Sequence, residues 1–159
     1  MNVHIETEID APASTVWNIL AHQFTEMAAW TETLSESRTL AASEIPTSFK
    51  PAPDAPFSAR ETTSSFAKAI EIIVEYSEED MRLRFDTANL PFILKSASNT
   101  QRVVSLGENK SKVMWDLAIE MRGIFKIIGP LMRNRFQKSF GGIQQELKYY
   151  AETGKVKVS

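Results

Sequence analysis

Few residues of this 159-residue sequence have side chains suited to catalysis or metal binding. The sequence contains two histidines, His4 and His22, and no cysteine, which excludes disulfides, thiolate chemistry and zinc sites built on cysteine. The HExxH, GxSxG, P-loop and GxGxxG motifs are absent as well. We therefore predict no metal site and no cofactor, and the sequence identifies no catalytic residue.

His4 and most of the carboxylates fall on alternating segments that predict strands. Val3, Ile5 and Ile9 alternate with charged residues, which places His4 on the solvent-facing side of a half-buried first strand. Similar alternation predicts six more strands, at about residues 34–42, 57–65, 69–76, 81–87, 93–106 and 113–121. Outward carboxylates of this kind suit solubility better than proton transfer.

The last long segment predicts an amphipathic helix of about 23 residues that begins near Pro130. Its apolar stripe recurs at steps of three and four residues: Met132, Phe136, Phe140, Ile143, Leu147 and Tyr150. Two shorter helices are predicted between the first two strands, one opening after Pro12 and one over residues 25–29. A stripe of this length needs an equally long apolar partner, and a curved antiparallel sheet would supply it.

Composition and charge limit the class of protein. With 43% apolar and 24% charged residues, we predict one globular domain over residues 1–159. No apolar run approaches the roughly 18 residues that span a bilayer, and the N-terminus does not resemble a signal peptide, so we predict a cytoplasmic protein. Residues 123–159 hold 7 Lys/Arg against 2 Asp/Glu, a net charge of +5. This basic end is compatible with a solvated face, with RNA or protein contacts, or with an anionic membrane, whereas no DNA partner is expected.

Four of the seven prolines fall within residues 43–56. Each proline removes an amide donor, so this segment predicts a long exposed loop rather than a strand. Phe49 and Phe57 flank its second half, which suggests that they fold over the mouth of a cavity.

The order of elements predicts an α+β fold, in which a curved antiparallel sheet wraps around the long C-terminal helix. The segments Ile9–Trp17 and Leu147–Gly154, together with Trp30, resemble the polyketide cyclase/dehydrase branch of the START-like, helix-grip (SRPBCC) superfamily. The resemblance covers nearly the whole chain in element order. It implies seven strands gripping the helix, with an apolar cavity between them, and the proline-rich segment departs from the compact hairpin expected there.

Related cyclases place a few polar residues in an otherwise apolar cavity. By this resemblance the polar candidates are Tyr76, Thr87, Asn89 and Arg102. Trp30 faces either the core or the cavity. The apolar residues expected between sheet and helix are Leu83, Phe85, Trp115, Leu117, Met132, Phe136 and Phe140. Neither histidine falls on a predicted cavity face.

Three functions remain open from the sequence. The first is a module that binds a small hydrophobic or aromatic ligand, such as a lipid or a polyketide-like compound. The second is a cyclase or dehydratase acting in the same cavity. The third is a protein- or RNA-interaction module that uses the basic face of the last helix. The ligand, the openness of the cavity and the oligomeric state stay unassigned.

Overall fold

A computed structural model describes residues 1–65 and 68–158. Seven strands and two α-helices form the framework: β1 Asn2–Ile9, α1 Ala13–Trp17, β2 Leu34–Thr39, β3 Ala59–Ser64, β4 Lys68–Ser77, β5 Arg82–Ala88, β6 Leu94–Gly107, β7 Lys110–Met121 and α2 Gly129–Thr153. Short turns of helix extend α1 over Asn18–His22, follow it at Phe24–Ala29, cover Ala42–Glu44 and precede α2 at Gly123–Ile128.

The strands form one antiparallel sheet in the order β1-β7-β6-β5-β4-β3-β2. Helix α2 lies across its concave face, where Ile143 and Leu147 are buried. Gln144 anchors the helix to β1, because it accepts a hydrogen bond from Thr7 Oγ1 at 2.8 Å and donates one to the Ile5 carbonyl at 3.2 Å. The α+β helix-grip arrangement predicted from the sequence is confirmed.

Strand β7 shows how the sequence produces the concave face. Val113, Trp115 and Leu117 are buried against the helices, while Asp116 and Ala118, on either side of Leu117, point to the other side and are exposed. This is the period-two alternation expected of a strand with one buried face. The same rule places Asn99 and Gln101 of β6 inward, because they pair directly with Leu117 and Trp115.

Strand β4 departs from the regular alternation. Its pairing with β5 shifts between Ile73 and Glu75, so residues on the two sides of this bulge change faces. Ile70 and Ile72 pack on the convex face, whereas Glu71 points to the concave side. Regular alternation would place Ile70, Ile72 and Tyr76 on one face, but the bulge puts Tyr76 against the main core, on the other side from the two isoleucines.

The proline-rich segment covers the convex face. Ile45 is buried in a second apolar cluster with Ile70 and Ile72, and Phe49 packs against this cluster. Phe57 instead packs against the main core. The segment is an irregular and largely exposed loop, as expected. The expected position of Phe49 and Phe57 over a cavity mouth is corrected, because Phe49 helps to cover the outward isoleucines of β4 and Phe57 packs on the main core.

Candidate functional site

A cavity of about 180 Å³ lies between the concave face of the sheet and α2. Its walls are mainly apolar side chains from β5, β6, β7 and α2: Phe85, Leu94, Leu117, Ile119, Phe136 and Phe140. Polar groups enter from Glu71, Thr87 and Asn99. An apolar pocket with a few polar groups is typical of a binding site for a small organic molecule.

Four of the eleven predicted site residues line this cavity. Phe85 and Leu117 come from the inward positions of neighbouring strands, and Phe136 and Phe140 come from the stripe of α2. The rings of Phe136 and Phe140 stack with their centroids 6.3 Å apart. Thr87, a further polar candidate, lies on the wall as well.

Four other predicted residues are buried or partly buried in the interior and do not form the cavity wall. Leu83, Trp30 and Trp115 are fully buried in the main core. Trp115 meets the ring of Phe140 edge-on, with centroids 6.5 Å apart, so it supports the wall from behind. Met132 packs at one end, against the cluster of Leu94, Ile119 and Met121.

The remaining three predicted residues lie elsewhere. Arg102 is exposed on the convex face, because its neighbours Gln101 and Val103 take the inward positions of β6. Asn89 is exposed in a turn, where its φ of 55° suits the left-handed conformation that asparagine tolerates. The predicted positions of Arg102 and Asn89 on the cavity wall are therefore corrected.

Tyr76 lies at the rim of the main core, near α1. Its ring stacks on Trp17 with centroids 5.7 Å apart, and its hydroxyl donates to the Glu78 carboxylate, which also contacts His22 Nε2 at 3.0 Å. Burial, and then the Glu78 carboxylate, raise the pKa of Tyr76 above its ordinary value. The phenol therefore stays neutral and acts as a donor outside the cavity.

A buried ion pair lies beside the cavity and was not predicted from the sequence. The Arg60 Nε donates to Glu71 Oε2 at 2.5 Å, and its Nη1 donates to the Phe24 carbonyl at 2.7 Å. The guanidinium carbon lies 4.0 Å from the ring centroid of Phe24 and 5.5 Å from that of Phe85. The only sequence signal is the absence of an apolar alternation in β3, where Arg60 takes an inward position.

Among the residues that the structure describes, one cavity-lining residue has a fully buried side-chain atom without a hydrogen-bond partner. It is the side-chain oxygen of Asn99, whose residue is 3% exposed. Asn99 faces Phe85 on one neighbouring strand and Leu117 on the other. A buried acceptor without a partner is costly, so this oxygen favours a ligand that carries a donor.

Across residues 1–65 and 68–158, no group of three or more His, Asp or Glu side chains could hold a metal ion. No helix in these ranges is long and apolar enough to cross a bilayer. The one ionisable side chain found on the described cavity wall is Glu71, which is engaged by Arg60.

The sequence matches a family model described as polyketide cyclase/dehydrase and lipid transport, over residues 1–152. The chain belongs to this family. The resemblance stated from the sequence is thereby confirmed for the polyketide cyclase family. No curated protein matches the sequence significantly.

Solved structures show the same fold at low sequence identity. A START superfamily protein from Mycobacterium smegmatis has a TM-score of 0.75 at 15% identity, covering 97% of this chain and 99% of the other. The di-domain aromatase/cyclase BexL of the BE-7585A biosynthetic pathway gives 0.73 at 11% identity, covering 94% of this chain and 45% of BexL. A norcoclaurine synthase mutant from Thalictrum flavum gives 0.63 at 13% identity, covering 95% and 93%. These similarities place this polyketide cyclase family member in the START-like fold.

Proposed function

We propose that this polyketide cyclase family member binds a small apolar or aromatic molecule between α2 and the sheet. The observation that carries the proposal is the cavity of about 180 Å³ with its wall of phenylalanine, leucine and isoleucine side chains. An apolar cavity of about 150 Å³ is large enough for a benzene ring. The cavity as it stands therefore suits a molecule built on one aromatic ring.

The polar groups of the wall narrow the ligand further. The unpartnered oxygen of Asn99 accepts a hydrogen bond, so a ligand with a hydroxyl or amine donor would satisfy it. The Glu71 carboxylate already accepts a hydrogen bond from Arg60, so it can accept fewer hydrogen bonds from a ligand. We infer a ring that carries a hydroxyl group, with the ring against Phe136 and Phe140 and the hydroxyl towards Asn99.

Binding is favoured over catalysis by the chemistry of the wall. A cyclase or dehydratase that transfers protons needs a positioned group within hydrogen-bond reach of the substrate. Among the described residues of the wall, Glu71 is ionisable, and its carboxylate is in an ion pair with Arg60. BexL and norcoclaurine synthase have the same fold, and each is named for an enzymatic activity. Their structural similarity to this chain supports the choice of an aromatic ligand.

The test compares thermal unfolding with and without 4-methylphenol and toluene. A ligand at ten times its Kd stabilises the folded state by about 1.4 kcal/mol, which raises the Tm by about 3–5 °C for a chain of this size. Ala97→Phe places a ring in the cavity, because Ala97 lines its wall, and should abolish the shift. Ala118→Phe adds the same ring at an exposed position of the neighbouring strand β7 and should leave the shift unchanged.

Asn99→Leu tests the polar part of the proposal. It should remove the preference for 4-methylphenol over toluene while toluene still binds. A shift in Ala97→Phe as large as in the wild type would place binding outside the cavity and overturn the proposal. Equal responses of the wild type to both compounds would remove the role given to Asn99.

A further inference from the structure

The connection between β7 and α2 exposes an unusual amount of apolar surface. Among residues 1–65 and 68–158, nine large apolar side chains are exposed. Three of them lie in this connection, one in the first turn of α2 and one in the β5–β6 connection. We call these five the apolar tip: Phe92, Ile124, Ile127, Ile128 and Leu131. Four of the five are 70–82% exposed.

The tip is one structure and not a set of scattered side chains. The ring of Phe92, from the β5–β6 connection, meets Phe125 edge-on with centroids 6.4 Å apart. The Arg122 guanidinium lies over the Phe92 ring, with its carbon 5.7 Å from the ring centroid. Its amide also donates to the Ile93 carbonyl at 2.9 Å. The two connections are therefore held together while their apolar side chains point to solvent.

Four of the five tip residues lie in a basic stretch of the sequence. Residues 121–145 contain five basic side chains and no Asp or Glu: Arg122, Lys126, Arg133, Arg135 and Lys138. Among the residues that the structure describes, none of these five forms a salt bridge with a carboxylate at 4.0 Å or less. The nearest acid in sequence is Glu120, which accepts from Lys95 Nζ at 2.9 Å.

This combination of features selects one kind of partner. Exposed isoleucine, leucine and phenylalanine insert into the boundary between headgroups and acyl chains, while lysine and arginine contact lipid phosphates. A second copy of this chain fits less well, because two such tips would bring two basic stretches together. We propose that the apolar tip docks on an anionic lipid surface.

Docking at the tip would bring that surface next to the cavity. The segment that carries Leu131 on its exposed side carries Met132 and Phe136 on its inner side, and Phe136 is part of the cavity wall. Leu90 and Leu94, at the same end of the sheet, line the cavity as well. The tip thus offers an apolar molecule in a membrane a short path to the cavity.

Sedimentation with vesicles tests the proposal with the full chain. The wild type should bind vesicles of phosphatidylcholine with phosphatidylserine, and binding should fall with added salt and be lost on pure phosphatidylcholine. Ile124→Ser combined with Ile127→Ser should weaken binding at least tenfold, since two apolar side chains no longer insert. Lys126→Gln should weaken it about fivefold.

Leu106→Ser is the matched control, because Leu106 is exposed in the β6–β7 hairpin outside the tip. It should bind like the wild type, and the unfolding curves of all variants should coincide because the changed side chains are exposed. Failure of the wild type to bind, or unchanged binding by the double serine variant, overturns the proposal. If analytical ultracentrifugation shows that the wild type is a dimer and the double serine variant is a monomer, the proposal is overturned and the tip binds a second copy of the chain.

Discussion

The buried ion pair between Arg60 and Glu71 should behave as a coupled unit. The Arg60 side chain is 5% exposed and the Glu71 side chain 17%, so both charges are largely removed from water. Glu71→Leu leaves the guanidinium, which lies near the rings of Phe24 and Phe85, without its carboxylate partner, while Nη1 keeps its hydrogen bond to the Phe24 carbonyl at 2.7 Å. Breaking such a pair from one side costs about 3–5 kcal/mol.

Arg60→Met should cost less than Glu71→Leu. It removes the contacts with the Phe24 and Phe85 rings, but the remaining carboxylate is the more exposed partner and lies on the cavity wall. We expect a loss of about 2–3 kcal/mol. The double variant Arg60→Met/Glu71→Leu should fall within about 1–2 kcal/mol of the wild type, because no unpaired charge remains buried.

Urea unfolding followed by circular dichroism measures these differences from the midpoints, provided that the slopes agree. The expected coupling energy in the double-mutant cycle is about 3 kcal/mol or more. Surface variants such as Lys95→Gln, whose ion pair with Glu120 is exposed, should change stability by less than about 1 kcal/mol. Additive losses in the double variant would refute the account of this pair.

Three further predictions concern stability. The pKa of Tyr76 is raised in the folded state, so Tyr76 contributes stability that is present below about pH 10 and lost as the pH rises further. Tyr76→Phe removes the phenol and its hydrogen bond to Glu78, so the free energy of unfolding, measured in urea, should decline less at high pH. Gly141→Ala and Gly142→Ala, both within α2, should each raise the free energy of unfolding by about 0.5–1 kcal/mol, because an added Cβ at either position meets no neighbouring atom. A lower Tm would instead show that the helix needs flexibility there. Gly154→Ala should lower it by about 1 kcal/mol in the same melts, because Gly154 ends α2 with a φ of 69°, and an unchanged Tm would contradict this.

The elements with strong periodicity could be predicted from the sequence. The stripe of α2 and the alternation of β7 each follow one regular spacing, so Phe136, Phe140 and Leu117 were assigned to the correct face. These residues come from elements where local pattern and tertiary packing agree.

The positions that the sequence did not predict depended on the register of the strands. The shift in β4 between Ile73 and Glu75 reverses faces without a glycine or proline to mark it, so the inward position of Glu71 could not be anticipated. In β6 neither face is clearly apolar, because the inward positions include Asn99 and Gln101. A one-residue error in such a strand exchanges its faces, which explains the choice of Arg102.

The cover on the convex face was also missed. Proline removes amide donors, which predicts an irregular, exposed segment, and most of residues 43–56 are exposed. The same segment also buries Ile45 against Ile70 and Ile72. Irregular backbone and burial of its side chains are compatible, and the proline rule predicts only the first.

The most direct test of the proposed function is a crystal structure of the chain with 4-methylphenol bound. The account predicts one molecule inside the cavity, with its ring between Phe136, Phe140 and Leu117 and its hydroxyl within about 3 Å of Asn99 Oδ1. A cavity that stays empty at saturating ligand, or a ligand bound only on the convex face, would contradict it.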